Sequence, residues 1–409
     1  MHERNTEPEW MTVKLTTLKK ALIISSLDWE SPIRVGTHHI AKTLVDKGWQ
    51  VGFLSFPISP FHRLAKNQEE YQRRCGLNFG GEGVYRLNDS LWTLVPWALA
   101  VPRKEVPFNS SWMFRHWYRL SHQALLERVC EAGFGDVDLL YFDNPYQNFW
   151  LDKINYNKSV LRIADANHGF DHFCRQAESF ERELANRVDL VVCSSTGVCQ
   201  QVRAWTTSDV RFMPNGVDLD RFSIADQSLP ADLTSIPQPI VLYVGSVNYW
   251  FNFTLVQRCA QRMADVSFVI VGPCLDVPEE LNRLENVHFL GRKNHAELAA
   301  YLGSADVGII PFDYDGYPDL VNSINPLKLY EYLACGLPVV SVAWRELKLI
   351  NPPILYANDS NEFIDALSHV LATEHDPAEG LKFVASKGWG SIIDELLSML
   401  NLSLENQSR

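Results

Sequence analysis

Short apolar runs alternate along this chain with amphipathic stretches of helical length. ALIISS (21–26) is followed by a polar loop, DWESPIRVG, a helical pattern from Thr37 to Lys47, and then WQVGFLSF (49–56). DLLYFD (138–143), SVLRIAD (159–165) and DLVVCSS (189–195) continue the series, again with helical stretches between them. Strand-length runs separated by crossover-length helices predict a parallel, doubly wound α/β sheet. Residues 57–118 break the rhythm with Pro, Gly, Trp and basic residues.

A polar, proline-bearing connector (223–239) follows VRFMPNGVDLDRF (210–222), and the pattern then starts again. IVLYVGS (240–246), VSFVIVGP (266–273), VHFLG (287–291), VGIIPF (307–312), PVVSV (338–342) and ILYA (354–357) form a second βα series. A last helix, about Gly390 to Leu400, is expected to pack back on the first series. The expected divisions are a flexible lead-in 1–17, a Rossmann-like domain 18–206, a second such domain 207–384, and a returning segment 385–409. Two such halves face one cleft, and ligands in these sheets bind beyond the C-terminal ends of the strands.

Composition narrows the class. The chain has 409 residues, enough for two or three domains with full cores. Its 46% hydrophobic and 21% charged content is that of a globular protein. A net charge of −12 argues against a general nucleic-acid binder. The 8 cysteines form no C-x-x-C pair and read as buried small hydrophobes of a reducing compartment. No run approaches the roughly 18 apolar residues of a membrane span, and the N-terminus lacks a secretory core. The expectation is a soluble cytoplasmic protein, or one held peripherally on the inner face of the plasma membrane.

NPLKLYEYLACGLPVVS (325–341) concentrates the candidate chemistry. Asn325-Pro326 predicts a helix start and Gly336 its close, with Val339-Val340 in the following strand. Lys328 and Glu331 fall at i and i+3 on one helix face, near a helix N-terminus that favours anions. A cation with a hydrogen-bond-accepting carboxylate beside it suits a phosphate with a neighbouring sugar hydroxyl. A surface ion pair is the plainer alternative.

With PNGVDLDRF (214–222), VGS (244–246), IVGP (270–273) and NVHFLGRKNHAELAAYLGSADVGIIPF (286–312), in that order, this segment makes the chain resemble the GT-B glycosyltransferases over roughly 21–400. SSLDWESPIRVGTHH, LRIAD and S-x-x-P-L-K-L-Y-E-Y point within that fold to the glucuronosyltransferases of xanthan-type exopolysaccharide assembly and related capsule and teichuronic acid enzymes. The resemblance implies two Rossmann-like domains around a central cleft, with a C-terminal helix crossing back. It further implies a nucleotide-diphosphate sugar as co-substrate, UDP-linked by expectation, and no cofactor. The acceptor would be a glycan or a lipid-linked glycan in polysaccharide biosynthesis.

Residue roles follow from the resemblance. Lys328 is expected on the donor diphosphate and Glu331 on the ribose hydroxyls, which matches a point-charge ammonium and an accepting carboxylate. Gly245 and Ser246 are expected to cradle the pyrophosphate with backbone amides, and Arg292 and Lys293 to lie where relatives bind the base. Two departures, Ser323 in place of the first glutamate of E-x7-E and aromatics after the glycine loop, favour inversion over retention. Inversion needs a base, and Asp165 at the end of SVLRIAD matches the aspartate of the xanthan-type enzymes. A helix cap is its structural alternative. His168 is a second candidate, to orient Asp165 or replace it.

Asp28, Arg34, Gly36 and His38 in the first βα loop, and Tyr317, Asn322 and Ser323 late in the chain, are candidates for donor-sugar or acceptor contact. Adjacent His38 and His39 do not face one way, so a paired metal site is not expected. Nor is a metal expected at Asp313-Tyr314-Asp315, which lies in a loop of the second domain. Aromatics interleaved with Arg and Lys in 57–118 predict either a membrane-docking segment or an ordinary packing layer. A retaining transferase, a nucleotide-sugar epimerase of the same fold, and a non-catalytic sugar-nucleotide-binding scaffold remain as alternatives.

Overall fold

A computed structural model describes residues 18–64, 68–79, 84–121, 124–166, 174–223, 228–274 and 277–403. The apolar runs become two sheets. The first contains β1 (Lys20–Ile24), β2 (Gln50–Leu54), β3 (Val84–Arg86), β4 (Leu91–Leu94), β5 (Asp136–Phe142), β6 (Asn155–Ile163), β7 (Leu190–Cys193) and β8 (Asp209–Phe212). The second contains β9 (Ile240–Val244), β10 (Ser267–Val271), β11 (Val287–Gly291), β12 (Val307–Ile310), β13 (Val339–Val342) and β14 (Leu355–Ala357).

The first sheet runs β3-β4-β2-β1-β5-β6-β7-β8, parallel except for the β3–β4 edge pair. The second runs β11-β10-β9-β12-β13-β14 and is parallel throughout. Strand order reverses between β1 and β5 in one sheet and between β9 and β12 in the other. Those are the crevices where open α/β sheets bind ligands. The central strands are buried along their length, as parallel strands covered on both faces must be.

Two sequence expectations shift. β8 pairs with β7, so the first sheet continues beyond the boundary expected at 206. The segment 57–118 supplies β3 and β4, and part of it packs inward. Arg73 and Arg74, within the segment read above as either membrane-docking or an ordinary packing layer, turn onto the buried Asp28 at 2.7–2.8 Å and 3.2 Å respectively.

The last helix, Trp389–Met399, leaves the second domain and packs on the first. Trp389, Ile392, Ile393, Leu396 and Leu397 recur at helical spacing and are all buried against Ile40, Leu44 and Trp49. Each such side chain stabilises the crossing by about 1.5–3 kcal/mol through burial. His39 stacks on Trp389 with ring centroids 5.4 Å apart and lies 5.4 Å from His295 of the second domain. The crossing helix therefore fixes the two domains beside the cleft.

Candidate active site

The helix carrying Lys328 spans Leu327–Ala334, with Pro326 rather than Asn325 at its N-cap. Asn325 instead sends its side-chain amide to the Ser194 carbonyl of the first domain at 2.9 Å. Gly336 closes the helix at φ 72°, a left-handed conformation that glycine adopts without steric cost.

Lys328 Nζ sits 2.8 Å from the Tyr243 hydroxyl, 4.1 Å from the centroid of that ring and 4.9 Å from that of Phe312. The Tyr243 hydroxyl donates to the Ser246 carbonyl at 2.9 Å, so toward Lys328 it accepts. Burial pulls the ammonium down to about 7, and the nearby Glu331 carboxylate only partly opposes this. A desolvated lysine with two aromatic faces and one hydroxyl as partners gains strongly from an incoming anion.

Close glycine contacts make room for it. A Cβ on Gly245 would stand 2.8 Å from Lys328 Nζ, and one on Gly272 would stand 2.0 Å from the Gly245 carbonyl oxygen. The Gly245 amide donates to Val271 within the sheet at 2.9 Å, which corrects the expectation that it faces a pyrophosphate. Of that pair, the Ser246 amide is the one left for an anion.

Glu331, 8% exposed, accepts from His295 Nε2 at 3.4 Å. His295 Nδ1 lies 2.7 Å from Arg221 Nη1, and a guanidinium only donates. Nδ1 must therefore accept and Nε2 carry the proton toward Glu331. The ribose-binding candidate is thus oriented through a histidine by an arginine. Lys293 is committed to Asp232 at 2.5 Å and lies 5.7 Å from the Tyr301 ring, while Arg292 is exposed at the mouth of the cleft.

The opposite wall comes from the first domain. Asp165, two residues past β6, lines the same cavity of about 420 Å³ as Arg34, Asn215, Gly245, Lys328 and Glu331. Burial pushes its carboxyl up to about 6, with Arg162 opposing. The described helix that follows starts at Arg175 with Cys174 as its cap, so Asp165 does not cap it. His168 lies outside the described residues.

Arg34 faces the cleft, donating to the Trp29 carbonyl at 2.6 Å and lying 5.2 Å from that ring. Gly36 serves a neighbour: a Cβ there would meet the Arg162 guanidinium at 2.9 Å. Arg162 donates to Asn215 Oδ1 at 2.5 Å, and Asn215 donates to the Asn325 carbonyl at 2.6 Å. This relay ties the first sheet to the start of the Lys328 helix.

Asp28 and His38 were expected to touch substrate and instead hold their own loop. Asp28 is 1% exposed and paired with Arg73 and Arg74, while His38 is 2% exposed and its Nε2 bonds the Asp28 carbonyl at 2.9 Å. Ser323 is a domain seam, accepting from the Ala166 amide at 3.2 Å and donating to Leu320 at 2.7 Å. Asn322 accepts from the Arg345 amide at 3.0 Å, and the exposed Tyr317 packs on Tyr249 at 4.9 Å. All three lie beside the cleft, into which Leu320 and Ile324 project. Tyr243, Asn215, Arg221 and His295 were not singled out from sequence, although three of them sit inside the motifs PNGVDLDRF and RKNHAELAAYL.

Comparison with known proteins agrees with this architecture. Residues 23–194 match the family described as glucuronosyltransferase GumK, N-terminal domain, and residues 238–373 match glycosyl transferases group 1. Over 241 residues, 55% of this chain and 60% of the relative, the chain is 29% identical to the putative teichuronic acid biosynthesis glycosyltransferase TuaH of Bacillus subtilis. Over 190 residues, 46% of this chain and 48% of the relative, it is 28% identical to a GDP-mannose-dependent alpha-mannosyltransferase of Mycolicibacterium smegmatis. The matched segments thus span about half to three-fifths of these curated relatives.

Among solved structures, sucrose-phosphate synthase from Thermosynechococcus elongatus superposes with a TM-score of 0.66 at 17% identity, covering 94% of this chain and 98% of that one. Anabaena HepE in complex with UDP and glucose gives 0.61 at 15% identity, covering 94% and 99%. At such identities these likenesses speak for the fold. With residues 23–194 similar to the GumK N-terminal domain and residues 238–373 similar to the group 1 glycosyl transferases around a shared cleft, the chain has the GT-B fold and resembles the glycosyltransferases built on it.

Proposed function

We propose that this protein transfers a sugar from a UDP-sugar to a glycan or lipid-linked acceptor in polysaccharide biosynthesis, with inversion and without a metal. The observation that carries the reading is one cavity with Lys328 and Glu331 on one wall and Asp165 on the other. Lys328 neutralises the diphosphate, Glu331 accepts from the ribose diol, and Asp165 takes the proton of the attacking acceptor hydroxyl. The new glycosidic bond forms as the anomeric carbon–phosphate oxygen bond breaks, and the nucleoside diphosphate leaves with its electron pair.

Inversion is favoured because the position that carries a carboxylate in many retaining relatives is Ser323, engaged in the domain seam. Metal independence rests on Lys328 supplying the leaving-group charge, while Asp313 of the D-Y-D triplet accepts from its own loop at Gly316 N, 3.1 Å away. Among the described residues no helix is long and apolar enough to cross a membrane. Leu99, Val106 and Trp112 are 56%, 81% and 51% exposed near the exposed Lys104 and Arg119, which suits peripheral contact with an anionic membrane.

The donor base is the part that a screen decides, since the mycobacterial relative is named for GDP-mannose. A UDP-sugar at about a hundred times its Kd should stabilise the fold by about 2.7 kcal/mol and raise the melting temperature. A shift with GDP-sugars alone would replace UDP by GDP, and no shift with either would contradict the donor site.

The pH profile follows from the two shifted groups. kcat/KM should rise with pH through about 6 as Asp165 ionises, and fall above about 7 as Lys328 loses its proton in the free protein. With donor bound, the diphosphate favours the ammonium, so the falling limb of kcat should move to higher pH. A rising limb centred near an ordinary carboxylate value, below about 5, would contradict the base assignment.

A further inference from the structure

The donor cleft opens at the strand-order reversal of the second sheet, so its two ends belong to different halves of that sheet. Pro273, Arg292 and Lys293 follow β10 and β11 and form one end. Phe312 follows β12, while Leu320 and Ile324 lie on and just after the helix Pro318–Ser323, and these form the other end. Glu331 lies one turn beyond Lys328 on their helix and bonds His295, which also follows β11. On the donor reading above, the nucleoside therefore faces the first end and the transferred sugar the second. Asp165 belongs to the sugar end, because the next residue, Ala166, donates to Ser323 at 3.2 Å.

Trp250 lines the cleft, half-buried, on a loop tied to the β12 side. Its carbonyl accepts from the Asp313 amide at 2.7 Å, and the Asn252 amide donates to the Pro311 carbonyl at 2.8 Å. Between them Phe251 bridges Phe312 in antiparallel pairing. Near the start of the same loop, the Val247 amide donates to the Pro273 carbonyl at 2.9 Å. The Tyr249 and Trp250 rings meet edge to face at 4.9 Å, and Tyr317 packs on Tyr249 at 4.9 Å. An indole held in this way has little freedom left to lose when a ligand covers it.

The second domain makes this end apolar. Phe312 and Leu320 are buried beside Trp250, and Ile324 is half-buried. The cations that the same domain sends into the cleft serve elsewhere. Lys328 is assigned to the diphosphate, Lys293 pairs with Asp232 at 2.5 Å, and Arg292 lies at the nucleoside end. Arg34 of the first domain is held at the Trp29 carbonyl and over the Trp29 ring. A sugar carboxylate stripped of water against Leu320 and Ile324 carries the cost of a buried, poorly paired charge. The Asp165 carboxylate across the cleft adds like-charge repulsion.

We infer that Trp250 is the stacking platform for the transferred sugar, and that the site takes a neutral pyranose with a continuous C–H face, of the galactose or 6-deoxyhexose type. The inference rests on the glycosyltransferase reading and names the sugar class of its donor. The C–H face covers the indole, with Phe312 and Leu320 beside it, and burial of apolar area holds the ring in place. The anomeric carbon then lies between Lys328, which holds the leaving diphosphate, and Asp165.

The test is calorimetric titration of the full chain with UDP, UDP-galactose and UDP-glucuronate. Wild type should bind UDP-galactose more tightly than UDP-glucuronate. Trp250→Leu should weaken UDP-galactose about tenfold, the scale of one lost aromatic face, and leave UDP within about twofold. Trp250→Phe gives a second variant that keeps a ring and should retain most of the UDP-galactose affinity. A merely structural role for Trp250 would weaken UDP and UDP-galactose alike. That result, indifference of UDP-galactose to Trp250→Leu, or tighter binding of UDP-glucuronate by wild type would overturn the inference. A wild-type chain that binds no nucleotide would instead sink the donor site on which it rests, so the two failures are told apart.

Discussion

Lys328→Ala is expected to weaken nucleotide-sugar binding by roughly ten- to a hundredfold and to lower turnover further, by about 10²–10³. Charge-assisted hydrogen bonds contribute about 1.5–3 kcal/mol, which sets the first figure. The second follows because the leaving diphosphate gains charge in the transition state, where one preorganised donor is worth about 2.7–4 kcal/mol. The loss should not be one of folding. Tyr243 keeps its bond to the Ser246 carbonyl, and a cation whose pKa burial has lowered to about 7 is no stabilising element of the empty site. Lys328→Arg should rescue poorly, because a planar guanidinium cannot take the place of the compact ammonium held between the Tyr243 hydroxyl and the Tyr243 and Phe312 rings. Isothermal titration with nucleotide and steady-state rates check both numbers. Full turnover in the alanine variant would remove Lys328 from the mechanism.

Asp165→Asn should lower turnover by about 10²–10⁴ while leaving nucleotide affinity within about twofold of wild type. The amide keeps the shape of the cleft wall but cannot take a proton. Stability separates a functional loss from damage. The carboxyl is raised to about 6 by burial, so the folded state holds its proton more tightly than the unfolded chain. Its ionisation therefore destabilises the fold as pH rises from the ordinary carboxylate value through 6, and at pH 7 a neutral asparagine removes that cost. The variant should melt no lower than wild type at neutral pH. A catalytic group kept against stability is what a working site contains.

The parts of this account that were legible in sequence are those encoded by local period. Lys328 and Glu331 share a face because they are three apart on a helix, and the buried strands of both sheets announced themselves as apolar runs. β8 was missed because it is largely exposed, with only Val210 buried in Asp209–Phe212. The edge strand β3 and its neighbour β4 were hidden in a segment whose Trp, Pro and Arg content resembles an interfacial surface. Chemistry that depends on long-range approach was not legible. Nothing local to Gly245 says that its amide joins β10, that a lysine from 83 residues on lies against it, or that His295 will orient Glu331.

Asp28 shows the converse error. An aspartate in the first βα loop looks like a ligand contact, yet Arg73 and Arg74 reach it from a helix some forty-five residues on and bury it. A charge pattern in sequence cannot tell a partner inside the protein from a partner outside it.

The central claim is a division of labour, with the donor held by the second domain and the proton taken by the first. Side-by-side calorimetric titration of UDP into Lys328→Ala and Asp165→Asn tests it most directly. The account predicts binding lost or strongly weakened in the first variant and wild-type affinity in the second, with both deficient in transfer. Equal weakening in both, or weakening in Asp165→Asn alone, would contradict it.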